Sequence, residues 1–160
     1  MLRHAGSHDR LTGLYKRAFY DEELARFSAG GRFPLCIVMA DVNGLKKIND
    51  TLGHAAGDQL IRLATRIIQR GFRAEDVIAR VGGDEFAVLL PEARKQVAED
   101  AVKRIMSCPE IVTGRVSVAF GIGFAENREM LAEALSTSDS RMYKDKAKQK
   151  IAKLCLAPSR

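Results

Sequence analysis

An α/β domain of the α+β kind, with a central, mostly antiparallel sheet covered by helices, is predicted by three features of the sequence. Leu35-Cys36-Ile37-Val38-Met39-Ala40 is an unbroken apolar run, the mark of a central strand buried on both faces. Two strand-like runs flank Gly82-Gly83-Asp84-Glu85, a composition and spacing that suit a hairpin. Stretches of helical periodicity separate these strands without a strict strand–helix repeat, which disfavours a Rossmann fold or a TIM barrel.

Taken in order, Arg17 to Phe27 predicts a short amphipathic helix, stopped by Ser28-Ala29-Gly30-Gly31. Pro34 precedes the central strand, which ends in Asp41-Val42-Asn43-Gly44, so polar groups gather at its carboxyl end. Leu60, Leu63, Ala64, Ile67 and Ile68 recur at helical spacing and predict a helix from about Ala56 to Arg70. Asp76 to Val81 and Phe86 to Leu90 are the hairpin strands, with glycine expected to supply the positive φ of the turn and Pro91 to close it. Residues 92–107 predict a further amphipathic helix through Ala93, Val97, Ala101, Ile105 and Met106. Val112 to Phe124 predicts another strand and Ala132 to Lys150 a long final helix. Gly121-Ile122-Gly123 has no third glycine at dinucleotide-loop spacing and is read as a place of close packing. The sum is a palm-like sheet with the hairpin inside it.

The 160 residues suffice for one domain, 1–160, with one core. Hydrophobic residues make up 46% and charged residues 29%, which excludes a disordered, collagenous or coiled-coil chain. No apolar run approaches the ~20 residues of a membrane span, and Met1 to His8 lacks the apolar stretch of a signal peptide. Cys36, Cys108 and Cys155 are an odd set without CxxC pairing and read as reduced core thiols, for which a cytoplasmic setting is expected. The net charge of +6 resides entirely in residues 141–160. A basic tail of this kind is the solvated face of a terminal helix, or a contact for nucleic acid or an acidic membrane surface.

Asp41 at the end of a buried strand and Asp84-Glu85 in a hairpin turn collect negative charge at one edge of a sheet, an arrangement that is costly without a cation. Oxygen ligands suit Mg²⁺ or Mn²⁺ shared between carboxylates and substrate phosphates. Taken singly, Asp41 and Asn43 also serve as caps of the next turn, and Gly82 to Glu85 as a simple hairpin loop. Other chemistries are excluded by pattern. Leu45 occupies the fifth position of any EF-hand loop starting at Asp41, and no P-loop sequence is present. His8 and His54 have no partner at zinc-ligand spacing, and no serine sits in a nucleophile elbow.

Gly82-Gly83-Asp84-Glu85-Phe86 is the sequence after which the GGDEF domains, the bacterial diguanylate cyclases, are named, and the chain resembles them throughout. His8-Asp9-Arg10-Leu11-Thr12-Gly13-Leu14 resembles their entry motif, and the stretch from Asp41 through Asn49 to Asp58 their metal- and base-binding segment. Asp139, Met142, Tyr143 and Lys146 resemble their terminal helix. The likeness runs from about His8 to Lys150 with the motifs in order. Departures are Asn43, where many members have Asp, Leu45 for Phe, Lys16 for Asn and Lys150 for Arg.

The resemblance implies condensation of two GTP into cyclic di-GMP and two pyrophosphates by a homodimer, on a sheet like that of nucleotidyl cyclases. It implies two Mg²⁺ or Mn²⁺ ions per half-site, held by Asp41, the Val42 carbonyl, Asp84 and Glu85, with Asp41, Asp84 and Glu85 as the catalytic residues. Gly82 and Gly83 would let the backbone approach the nucleotide, Asn49 and Asp58 would read the guanine edge, and Lys46, Lys146 and Lys150 would neutralise the triphosphate. With that partner for the terminal helix, nucleic acid is not expected, nor is membrane contact by this domain. Arg73-x-x-Asp76, with Arg80 nearby, resembles the family's inhibitory product site; arginine suits phosphate and the guanine edge. A non-catalytic module binding GTP or cyclic di-GMP is the alternative. A sensory or dimerising segment is expected ahead of such a domain, and the domain is expected to be cytoplasmic whether or not its parent protein is membrane-anchored.

Overall fold

The computed structural model describes residues 6–156. Its strands are β1 (Tyr15–Lys16), β2 (Leu35–Val42), β3 (Val77–Arg80), β4 (Glu85–Pro91) and β5 (Val118–Ala125). The helices are α1 (Arg17–Gly30), α2 (Leu45–Leu52), α3 (His54–Gly71), α4 (Lys95–Met106), α5 (Pro109–Val112) and α6 (Leu131–Leu156), with a 3₁₀ turn at Arg128–Met130. The sheet order is β1-β3-β4-β2-β5, antiparallel except for the short parallel pair β1–β3.

Alternation along β2 explains its unbroken apolar run. Cys36, Val38, Ala40 and Val42 enter a core with Phe86, Val88 and Leu90 of β4 and with Ile61, Ala64 and Ile68 of α3. Leu35 and Ile37 enter the opposite layer with Ala87 and Leu89, beneath Tyr20 and Phe27 of α1 and Leu131 and Ala134 of α6. Helices thus cover both faces, and the strand at the centre is apolar on both sides for that reason.

Three sequence expectations need correction, and two elements come in addition to those expected. The strand expected from Val112 begins at Val118, because Pro109 at the first helical position starts the one-turn helix α5. Two short elements, β1 and α2, were beyond the reach of periodicity, one with two residues and the other with eight. Neither Gly82 nor Gly83 adopts positive φ, so the hairpin loop needs no left-handed residue; a Cβ on Gly82 would approach Glu85 Cβ to 3.3 Å, and one on Gly83 would meet open space. Cys36 is a core thiol, pushed up to about 11 by burial, but Cys155 is exposed on the last turn of α6, where every residue from Ile151 to Cys155 is exposed.

Gly121 and Gly123 of β5 act as the sequence suggested. A Cβ at Gly121 would collide with the Ser138 carbonyl and the Met142 amide, and one at Gly123 with the Ala134 carbonyl. The backbone of α6 therefore rests directly on β5, flanked by Ala119 and Ala125 on the same face of the strand.

Candidate active site

Register places the carboxylates. Asp41 is the partner of Glu85 in the β2–β4 ladder, and both continue the alternation of Leu35, Ile37, Ala87 and Leu89, so both point to the α1/α6 side. Asp84 precedes β4, and its carbonyl accepts the Val42 N–H at 2.8 Å, which ties the hairpin turn to the end of β2. One ligand atom from each of Asp41, Asp84 and Glu85 can be chosen so that all lie within 4.8 Å of one another.

The site is electrostatically strained. Burial pushes the Asp41 carboxyl above its ordinary value, the Asp84 charge adds to this, and Lys146 opposes it. Glu85 is raised by burial and then by the charges of Asp41, Asp84 and Asp139. Lys146 of α6 donates to Asp41 Oδ2 at 3.2 Å, but Asp41 Oδ1 is buried with no hydrogen-bond partner. A buried carboxylate oxygen left unpaired beside two further carboxylates is the donor set a hard divalent cation satisfies, so the residues present fit Mg²⁺ or Mn²⁺.

The other expected site residues fall into two groups. Asn49 of α2 lies against Gly57 of α3, where a Cβ would overlap Asn49 Oδ1; Asp58 is the next residue along and is exposed. Lys46 in the first turn of α2 and Lys150 of α6 are exposed, as are Gly82 and Gly83. Arg73 and Asp76 form a closed pair: Arg73 Nη2 donates to Asp76 Oδ1 at 2.8 Å and to the Pro91 carbonyl at 3.1 Å, and the Arg73 N–H donates to Asp76 Oδ2 at 2.8 Å. They line a cavity of about 300 Å³ with His8, Tyr15 and Phe72.

Arg80 keeps different company. It donates to the Gly83 carbonyl at 2.7 Å and to Asp9 Oδ2 at 3.2 Å. Burial alone would raise Asp9, but hydrogen bonds from Thr12 and then Arg80 outweigh it and hold the carboxyl below its ordinary value. Asp9 thereby braces the hairpin turn through Arg80, a role that residue types and spacing did not disclose because the contact spans 71 positions.

A helix-covered, mostly antiparallel sheet with three carboxylates gathered where its central strand meets a hairpin is a palm-like architecture suited to metal-assisted phosphoryl chemistry. The chain matches the family model for the diguanylate cyclase GGDEF domain over residues 6–151 and belongs to that family. It is 34% identical over 149 residues to the probable diguanylate cyclase DgcT of Escherichia coli K12, covering 86% of this chain and 33% of that protein. Against the diguanylate cyclase TpbB of Pseudomonas aeruginosa UCBPP-PA14 the identity is 37% over 156 residues, covering 89% of this chain and 35% of the relative. The chain thus spans about a third of the length of each of these curated relatives. The crystal structure of the GGDEF domain of DgcB from Caulobacter crescentus, in complex with c-di-GMP, superimposes with a TM-score of 0.80 at 27% identity, covering 93% of this chain and 92% of that one.

Proposed function

We propose that this domain condenses two GTP molecules into cyclic di-GMP with release of two pyrophosphates, and that its product inhibits it. The observation that carries the reading is the carboxylate cluster with the unpaired, buried Oδ1 of Asp41. Asp41, Asp84, Glu85 and the Val42 carbonyl would hold two Mg²⁺ or Mn²⁺ ions, which when bound would lower the pKa of a 3′-hydroxyl and neutralise charge on the leaving pyrophosphate.

The chain's own residues supply the rest. Lys146 would present its ammonium to the triphosphate from the opposite side of Asp41, with Lys46 and Lys150 adding positive charge further out. The N-terminus of α2 begins at Gly44 without a side-chain cap, which leaves backbone N–H groups for phosphate oxygens beside Lys46. Asn49 would hydrogen-bond the guanine edge through its amide, and Asp58 would accept from guanine donors that adenine lacks. Glu85 would complete the second metal site or, where it is not a ligand, accept the 3′-hydroxyl proton as that oxygen bonds to the α-phosphorus and the bond to the leaving pyrophosphate breaks. Each chain would bind one GTP, so two chains would face each other for ring closure. Arg73 and Asp76 would bind the product, while Arg80, bonded to Gly83, would couple that region to the hairpin turn. A cytoplasmic setting without nucleic-acid or membrane contact by the domain accords with a nucleotide substrate; among the described residues no helix is long and apolar enough to cross a membrane.

Incubation with GTP and Mg²⁺, followed by mass analysis, tests the reading. Cyclic di-GMP and pyrophosphate are expected from the wild type, and loss of both from Asp84→Ala with the fold retained. Unchanged GTP after incubation at high protein concentration, or full turnover by Asp84→Ala, overturns it and favours the binding-module alternative.

A further inference from the structure

As the edge strand of the sheet, β5 pairs with β2 on one side only, and its outer edge is covered by side chains of α6. Arg141 donates to the Ile122 carbonyl at 2.9 Å, Asp145 Oδ2 accepts the Phe120 N–H at 2.9 Å, and Gln149 Nε2 donates to the Val118 carbonyl at 2.9 Å. Four helical residues advance about 6 Å and two strand residues about 6.7 Å, so this stripe stays in step with every second residue of the strand. It ends in a cross-link to the catalytic strand: Asn43 Nδ2 donates to Gln149 Oε1 at 2.7 Å and to Ser117 Oγ at 2.9 Å, and the Asn43 N–H bonds to the Ser117 carbonyl at 2.8 Å.

Asn43 lies two residues beyond Asp41, and Lys146 lies one turn before Gln149, so the cross-link and the Lys146–Asp41 ion pair join the same two elements. We propose that Asn43 and Gln149 are positioning residues that set the axial register of α6 and so hold the Lys146 ammonium over Asp41, facing the substrate triphosphate. An amide at position 43 donates to both Ser117 and Gln149, which a carboxylate cannot do; the departure at Asn43 thereby acquires a task. The triphosphate part of this inference rests on the function proposed above. An edge cover alone would protect β5 and affect stability without touching nucleotide affinity.

Two variants test it: Gln149→Met, which keeps the side chain's length and helix propensity, and Asn43→Ala, which leaves α6 unaltered. In their crystal structures Lys146 Nζ is expected to move out of hydrogen-bond reach of Asp41; an unchanged contact in both overturns the proposal. Calorimetric titration with the α,β-methylene analogue of GTP and Mg²⁺ should show each variant binding about three- to tenfold more weakly, the value of one hydrogen bond. Lys146→Ala should lose at least as much, and Lys146→Ala combined with Gln149→Met no more than Lys146→Ala alone. Additive losses, or unchanged affinity in both single variants, overturn it. A wild type that does not bind the analogue, together with a displaced Lys146 in the variants, would refute the proposed function yet uphold the positioning role.

Discussion

Among single residues, Glu85 and Asp41 illustrate how a site can weaken the fold that carries it. Both carboxyls are raised, chiefly by burial and then by their neighbours' charges. An acid whose folded value exceeds its unfolded one stabilises the fold only while protonated; from about pH 4, where the unfolded chain ionises first, each pH increment removes stability until the folded value is passed. In metal-free protein the contribution of these two groups to stability is therefore expected to fall as pH rises through that window, opposed by Asp9, whose carboxyl is held low. Glu85→Gln should melt higher than wild type at neutral pH in a chelator and show a flatter pH profile. Adding Mg²⁺ should reverse the order, since a cation at ten times its dissociation constant contributes about 1.4 kcal/mol to a state that binds it. Scanning calorimetry of both proteins with and without Mg²⁺ decides this, and a wild type that melts highest in chelator would contradict the strained cluster. Arg73 makes a second residue-level case. Its hydrogen bonds to Asp76 raise its own pKa further, so it is a fixed cation on the wall of a cavity. Loss of one charge-assisted hydrogen bond is worth about 1.5–3 kcal/mol, so Arg73→Ala should bind cyclic di-GMP at least about tenfold more weakly. Calorimetric titration reads this directly, and equal affinities would reduce the pair to a structural contact.

Within the elements, the packing of α6 on β5 is the feature that gives a sharp test. Backbone atoms of Ser138, Met142 and Ala134 occupy the space a Cβ would need at Gly121 and Gly123. Helix backbone cannot yield as a side chain does, so Gly121→Ala should cost at least about 2 kcal/mol and tilt α6 away from the strand. Urea unfolding measures it; a loss below about 0.5 kcal/mol would mean that the helix moves freely, which would also weaken the register argument for Lys146. This contact and the apolar run of β2 were legible in the sequence because each depends on local residue size or on unbroken hydrophobicity. The carboxylate trio was legible for a similar reason, since register between adjacent strands converts two turn-end positions into one place. The bracing of the hairpin by Asp9 and Arg80 and the linkage of Asn43 to Gln149 were not, because they join positions far apart through side-chain reach. Short elements such as α2 and α5 escaped for want of enough turns to show a period.

For the whole molecule, charge and symmetry meet. All of the net charge of +6 falls within residues 141–160, and one of those cations, Lys146, meets the carboxylates through its ion pair with Asp41. Among the described residues each chain carries one such cluster, and Gly82, Gly83 and Lys46 are exposed. Cyclic di-GMP contains two identical phosphodiester links, and a product of that symmetry is matched by two copies of one half-site related by a two-fold axis. If each chain activates one GTP and ring closure requires both, the rate per chain must follow the fraction of chains that are paired. Below the dimer dissociation constant that fraction is proportional to concentration, so tenfold dilution should lower specific activity by about tenfold, with saturation at the upper end. Initial rates of pyrophosphate release across a wide protein range, set beside sedimentation of the same samples, check this. Constant specific activity in samples that sediment as monomers would show that a single chain closes the ring, and the two-chain arrangement would have to be abandoned.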